Sequence, residues 1–345
     1  MLNVPPAPPT EVPYTVRTAQ RITVASRLVA ASLISLGLFL FVGGTGWDVQ
    51  WHAAIGRDRV LTAPHILMLS GIVLIGLASL SAILLDTLRA ARGSGVNNQN
   101  SSHFLGMFRS SAGFFLAGFG ALLSTLAFPL DEYWHVLYGI DVTLWAPFHV
   151  MIAGGMISAG FGTMYAFTAE GNREAGRLRA IAHVGFLVAA ALTLSTLYLL
   201  LPDSGCEHGV INVGSVSVGM YPALASLSTT FFLFIAACTF NRPGGALGVD
   251  VVVEALRWGL VAFVPWAVEV TRLAEGFTYR PNPPVVVITP LWFPNSILLI
   301  TVIIEAVRWF ARAQPSSQNW GVLASATAIT ALVFISERTW LSQVS

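Results

Sequence analysis

Long apolar runs separated by short polar ones constrain this chain more than any other feature. A helix needs about 20 mostly apolar residues to cross the hydrocarbon core of a bilayer. Runs of that kind lie at 28–47, 61–85, 112–130, 144–168, 179–201, 219–240, 246–270, 284–306 and 319–337. The expected fold is therefore all-α: a polytopic integral membrane helix bundle of about nine transmembrane helices, with seven as the lower bound. Composition agrees, since 10% of the 345 residues are charged where a soluble domain carries about 25%. The net charge of +1 leaves no electrostatic footprint for nucleic acid. The first partner implied is the lipid bilayer.

Three regions follow. Residues 1–25, rich in proline and polar groups, read as a disordered tail; 26–170 as a helical core; 171–345 as additional transmembrane helices. Arginines in the short connections set orientation. Arg17, Arg21 and Arg27, then Arg89, Arg92 and Arg109, then Arg173, Arg177 and Arg179 fall on one side, which is taken as cytoplasmic. The expected location is the cell (plasma) membrane, with the N-terminus inside and the connections at 48–60 and 131–143 facing outward. Arg57 and Arg59 run against this rule, offset by Asp48 and Asp58 nearby. Two cysteines, Cys206 and Cys238, are too few for a disulfide framework or a cysteine-rich metal site. Cys238, inside an apolar run, reads as a packed small hydrophobe.

The outward connections carry a repeated constellation. Counting from Asp48 and Asp131, Trp51 and Trp134 stand at +3, His52 and His135 at +4, Gly56 and Gly139 at +8, and Asp58 and Asp141 at +10. Ala63-Pro64 and Ala146-Pro147 follow at +15 and +16, then His65 at +17 and His149 at +18. The copies are two crossings apart, so they form a parallel internal repeat in the first four helices with both motifs at one membrane face. Repeats of this kind build sites where the copies meet.

Asp and His at i and i+4 lie on one helical face. A proline suited to a helix's first turn then precedes the second histidine. Helix end, turn and helix start thus bring Asp48, His52 and His65 together, and likewise Asp131, His135 and His149. Two imidazoles and one carboxylate suit copper, zinc or non-haem iron. Asp58 and Asp141 are placed to accept the free ring N–H of a ligand histidine, with Arg57 an alternative partner for Asp58. A single interfacial histidine beside tryptophan is usually a boundary residue of the aromatic belt. Its repetition with the same companions favours metal, as ionisable groups at membrane depth default to function.

At these residues the sequence resembles the C subunit of the copper-dependent membrane monooxygenases, which oxidise methane or ammonia. That family carries D-x-x-W-H-x4-R-D followed by T-P-x-H; Asp48, Trp51, His52, Arg57, Asp58, Thr62 and His65 fall on this pattern. Its second site, Asn-x3-His-x13-His ending in A-P-L-H, is matched in spacing by Asp131, His135 and "APFH" ending at His149. The resemblance covers about residues 40–165. It implies copper at one or both triads and oxidation of a small apolar substrate with O₂. Pro64 and His65 are adjacent where the family has a residue between them, and Asp131 stands where it has Asn. The family's C subunits end soon after the second motif and work with two other subunits, so partner subunits or an electron donor are implied. Substrate, reductant and oligomeric state do not follow.

The rival reading is a copper or zinc transporter, chaperone or sensor without turnover, for which Glu254, Arg257, Glu269 and Arg272 would line a polar path. Their E-x2-R spacing alternatively makes them self-neutralising pairs. A third is haem ligation by His65 and His149, which leaves the other triad residues without a purpose. Cys206, Glu207 and His208 read as a plain polar loop.

Overall fold

The structure is a computed structural model that describes residues 14–56, 61–93, 101–138, 145–201, 209–213, 216–239, 243–283 and 297–313. Among them are eight helices: α1 (Tyr14–Ala54), α2 (Ala63–Ala91), α3 (Ala112–Tyr138), α4 (Pro147–Gly171), α5 (Gly176–Tyr198), α6 (Met220–Thr239), α7 (Gly245–Glu275) and α8 (Ile297–Ala313). Two small antiparallel hairpins interrupt them, β1 (Ser101–Phe104) with β2 (Phe108–Ser111), and β3 (Val210–Val213) with β4 (Val216–Gly219).

Five helices, α1 to α5, are long and apolar enough to cross a membrane, an architecture compatible with a lipid-embedded, multi-pass protein. Nine such helices were expected. The runs at 219–240 and 246–270 are helical as α6 and α7, but they are not among the five. Of the run at 284–306, residues 284–296 lie outside the described residues, as does 319–337. The expected tail is shorter than 1–25, because α1 is already helical from Tyr14. At 1.5 Å per residue, the 41 residues of α1 extend about 60 Å. The polar connection before α3 forms the β1–β2 hairpin, where Arg109 Nε donates to His103 Nε2 at 3.0 Å.

Without water to expel, helices in lipid associate through close van der Waals packing, for which small residues are suited. A Cβ on Gly37 would meet the Gly71 carbonyl at 2.7 Å, and one on Gly71 would collide with the Gly37 carbonyl, so α1 and α2 touch backbone to backbone. Gly120 and Gly155 oppose each other in the same way between α3 and α4, as do Gly113 and Gly162. Nearer the end of α1, a Cβ on Gly44 would meet the Met68 nitrogen at 2.9 Å and the Pro64 carbonyl at 3.1 Å. Side chains such as Ile34, Leu38, Ile75, Phe114, Met156 and Phe167 fill the interior.

Arg27, counted among the arginines of the cytoplasmic side, is buried. Its Nε lies 3.0 Å from Asp86 Oδ2 and its terminal nitrogen 3.0 Å from Glu170 Oε1. Ser110 Oγ also donates to Asp86, at 2.7 Å. This network ties α1, α2 and α4 at the far end from the triads; 21 residues separate Arg27 from Asp48 on α1, about 30 Å of helix. Cys238 is exposed on α6 rather than packed.

Candidate metal centre

Each histidine triad is built from the C-terminal end of one helix and the first turn of the next. Asp48 and His52 occupy the last two turns of α1, and Asp131 and His135 the last two of α3. Thr62 caps α2, its hydroxyl accepting from His65 N at 3.4 Å, and Pro64 occupies the first turn. That places His65 at the third helical position. In α4 the cap is Ala146 and Pro147 opens the helix, so His149 is also third. The one-residue difference between the motifs, +17 against +18, is thus absorbed before the caps. The N-terminal end of a helix carries partial positive charge and the C-terminal end partial negative charge. The second favours a cation beside Asp48, His52, Asp131 and His135.

The two clusters have nearly equal dimensions. His52 Nε2 lies 3.6 Å from Asp48 Oδ2, and His65 Nε2 3.2 Å from Asp48 Oδ1. His135 Nε2 and His149 Nε2 lie 3.5 and 3.2 Å from Asp131 Oδ2. In each triad one ligand atom per residue falls within 4.8 Å of both others. Ligand atoms on a tetrahedral ion at about 2.0–2.1 Å sit roughly 3.3 Å apart, close to the carboxylate–imidazole separations here. Among the described residues the buried Asp131 Oδ1 accepts no hydrogen bond, while Asp48 Oδ1 has the His65 imidazole beside it. A carboxylate oxygen withdrawn from water without a donor is costly and suits a cation. The six side chains keep 14 to 28% of their surface.

The triads adjoin. His65 contacts Phe128, three residues before Asp131, with ring centroids 5.7 Å apart. His135 and His149 face each other at 5.8 Å between centroids. Beside the first triad, Trp47 meets Phe263 of α7 edge-on at 5.8 Å. Beside the second, Trp145 Nε1 donates to the Leu200 carbonyl at 2.7 Å, tying the start of α4 to the end of α5.

Arg57, Asp58 and Asp141, expected to support the ligands, lie outside the described residues, as do Cys206, Glu207 and His208. The Glu–Arg pairs close on themselves: Glu254 and Arg257 at 3.5 Å, Glu269 and Arg272 at 2.7 Å. Sequence reasoning missed the buried Arg27–Asp86–Glu170 network and Asp250, which is 2% exposed within α7. Asp86 and Asp250 each stand within or at the edge of an apolar run, and that was the available signal.

Among the described residues, fold and site together define a helical architecture with five helices long enough to span a bilayer and two Asp-His-His groups able to hold metal. No protein-family model, curated protein or solved structure matches this chain.

Proposed function

We propose that this chain is a membrane-embedded copper-binding protein with one ion at Asp48, His52 and His65 and a second at Asp131, His135 and His149. The carrying observation is that two sequence-repeated triads, read as ligands from spacing alone, each close to within 4.8 Å. The glycine contacts support an internal repeat. Gly37 and Gly120 both stand eleven residues before the triad aspartate, and Gly71 and Gly155 both six after its second histidine. The repeat thus extends to the packing that holds each helix pair together. On this reading the N-terminus is cytoplasmic and both triads face the outer side of the plasma membrane.

The activity proposed is that of a monooxygenase-like oxidoreductase, or of a subunit of one, in keeping with the resemblance of residues 40–165 to the copper monooxygenase C subunit. Inserting one oxygen atom into a C–H or N–H bond consumes O₂, two electrons and two protons, and releases water. A quinol or a partner electron-transfer protein is the class of reductant required. Asp48, His52 and His65, and Asp131, His135 and His149, would hold and orient the copper, which would supply the redox chemistry with O₂. An apolar cavity of about 940 Å³ between α1, α5 and α7 supports an apolar substrate arriving through lipid. Its wall includes Gly43, Leu67 and Phe263, close in the chain to Asp48 and His65 or in contact with Trp47. The second reading, a copper or zinc carrier without turnover, draws on the partial exposure of all six ligands.

The test is elemental content of the detergent-purified chain. Two coppers are expected, falling to one in His52→Ala or His65→Ala and to one in His135→Ala. Unchanged metal in these variants removes the proposal. Zinc at the same positions, with no O₂ consumed when a quinol is supplied, favours the carrier.

A further inference from the structure

The last turn of α1, which holds His52, is finished by a segment more than two hundred residues away. The end of any helix leaves carbonyls without intrahelical donors. Here Trp51 O accepts from Ile55 N at 2.8 Å and from Gly56 N at 3.2 Å, with Gly56 at φ +73° in the left-handed region that glycine tolerates. Ala54 O instead accepts from Arg280 N at 2.9 Å, and the Arg280 guanidinium donates to Gly56 O at 3.2 Å. A Cβ on Gly56 would collide with that guanidinium. One strand of backbone and one side chain thus satisfy two carbonyls where α1 stops.

The segment that delivers Arg280 is itself braced. Gly276 ends α7 in the left-handed conformation, and Phe277 N returns to Arg272 O at 3.0 Å. Arg272 also donates to Phe277 O at 3.1 Å and grips Glu269 with two nitrogens, at 2.7 and 2.9 Å. Tyr279 donates its hydroxyl to Glu269 at 2.6 Å and lies beneath the Arg272 guanidinium, 4.8 Å from its carbon. Phe277 then meets the buried Trp51 edge-on at 5.7 Å. Trp51 immediately precedes His52 and lies three residues after Asp48.

We infer that residues 276–280 form a strap that positions the first triad, with Arg280 as the positioning residue and the Glu269–Arg272–Tyr279 group as its anchor. The strap restrains the helical turn on which His52 must hold its angle to Asp48. The strap's hydrogen bonds outside its own anchor go to the end of α1, so the strap serves the first triad. The role in metal binding rests on the copper reading; the restraint on α1 does not.

The experiment uses the full chain in detergent, with Cu(II) as probe. The first triad is read alone in a His135→Ala background, the second alone in a His52→Ala background. Disturbing ligand support beyond the ligands themselves costs about 10–100-fold in metal affinity. Arg280→Gln and, separately, Gly56→Ala are expected to weaken copper at the first triad by about that factor and to shift its paramagnetic resonance parameters. Arg280→Lys is expected to recover part of the loss, and the second triad to keep its affinity and spectrum in all three. Amide exchange over residues 50–56, measured without metal, is expected to accelerate in Arg280→Gln and Gly56→Ala. Affinity and spectrum unchanged in both variants, or exchange unchanged in both, overturns the strap. Equal weakening of both triads also overturns it, since that reports general instability. A wild-type chain that binds no copper removes the metal reading, and exchange then decides the strap by itself.

Discussion

His65 stands edge-on to Phe128, with ring centroids 5.7 Å apart and planes at 90°. The contact joins a histidine of the first triad to the helix that carries Asp131 and His135, so the two triads are neighbours, and metal ions bound in them would be too.

Proximity of this kind has a magnetic signature. With Cu(II) in both triads, the resonance lines are expected to show dipolar broadening, and His135→Ala, by emptying the second triad, to sharpen them. Two coppers per chain with unbroadened lines would contradict the adjacency.

Gly120 of α3 and Gly155 of α4 leave no room for a side chain between their backbones. Gly120→Val overpacks that contact at a cost of about 1–3 kcal/mol. A thermal midpoint several degrees lower is expected in detergent, measured against Gly154→Ala, where an added Cβ meets nothing within 4 Å. Equal midpoints would mean that the helix pair is not held at this crossing.

Arg27 is 7% exposed and engages both Asp86 and Glu170. Removing one member of a buried ionic network leaves unpaired charge and costs about 3–5 kcal/mol, whereas replacing the whole group with apolar residues is often neutral. Arg27→Met is therefore expected to destabilise the chain strongly, and the triple change with Asp86→Leu and Glu170→Leu to recover most of the loss. Copper content should be untouched in the triple variant. Chemical denaturation followed by fluorescence reads the first claim and elemental analysis the second.

Metal that binds only the folded chain stabilises it by mass action, about 2.7 kcal/mol per site at a free concentration one hundred times Kd. Chelation is expected to lower the thermal midpoint, and His52→Ala with His135→Ala to make it insensitive to copper. A midpoint in the double variant that still rises with copper would point to ligands elsewhere.

Partial desolvation, and then the hydrogen bond to the Glu269 carboxylate, holds the hydroxyl of the exposed Tyr279 above the ordinary tyrosine value. A folded pKa raised above the unfolded one contributes stability that is present below about pH 10 and is lost as pH rises through the folded value. The phenolate absorbance missing from Tyr279→Phe, compared with wild type, is expected to develop above the ordinary tyrosine range. Its appearance at the ordinary position would sever Tyr279 from Glu269.

The first five helices and the grouping of each Asp-His-His triad were legible in the sequence because both are written in local spacing. Apolar runs of spanning length locate α1 to α5. Carboxylate and imidazole at i and i+4 share a helical face, and a proline near the next helix start forecasts that His65 and His149 open their helices. The glycines at matching distances from each triad were equally visible, although their meaning depends on knowing which backbones meet. Arg27 read only as one more arginine of the cytoplasmic side for the same reason. Its fate turns on Asp86 and Glu170, 59 and 143 residues further along, and nothing in its own neighbourhood encodes them. The adjacency of the triads and the reach of Arg280 across 224 residues to Gly56 are likewise products of helix packing. Local periodicity determines which face of a helix is apolar and which residues share it. The choice of neighbour is made by long-range close packing among several faces of equal hydropathy, and only the tertiary structure decides it.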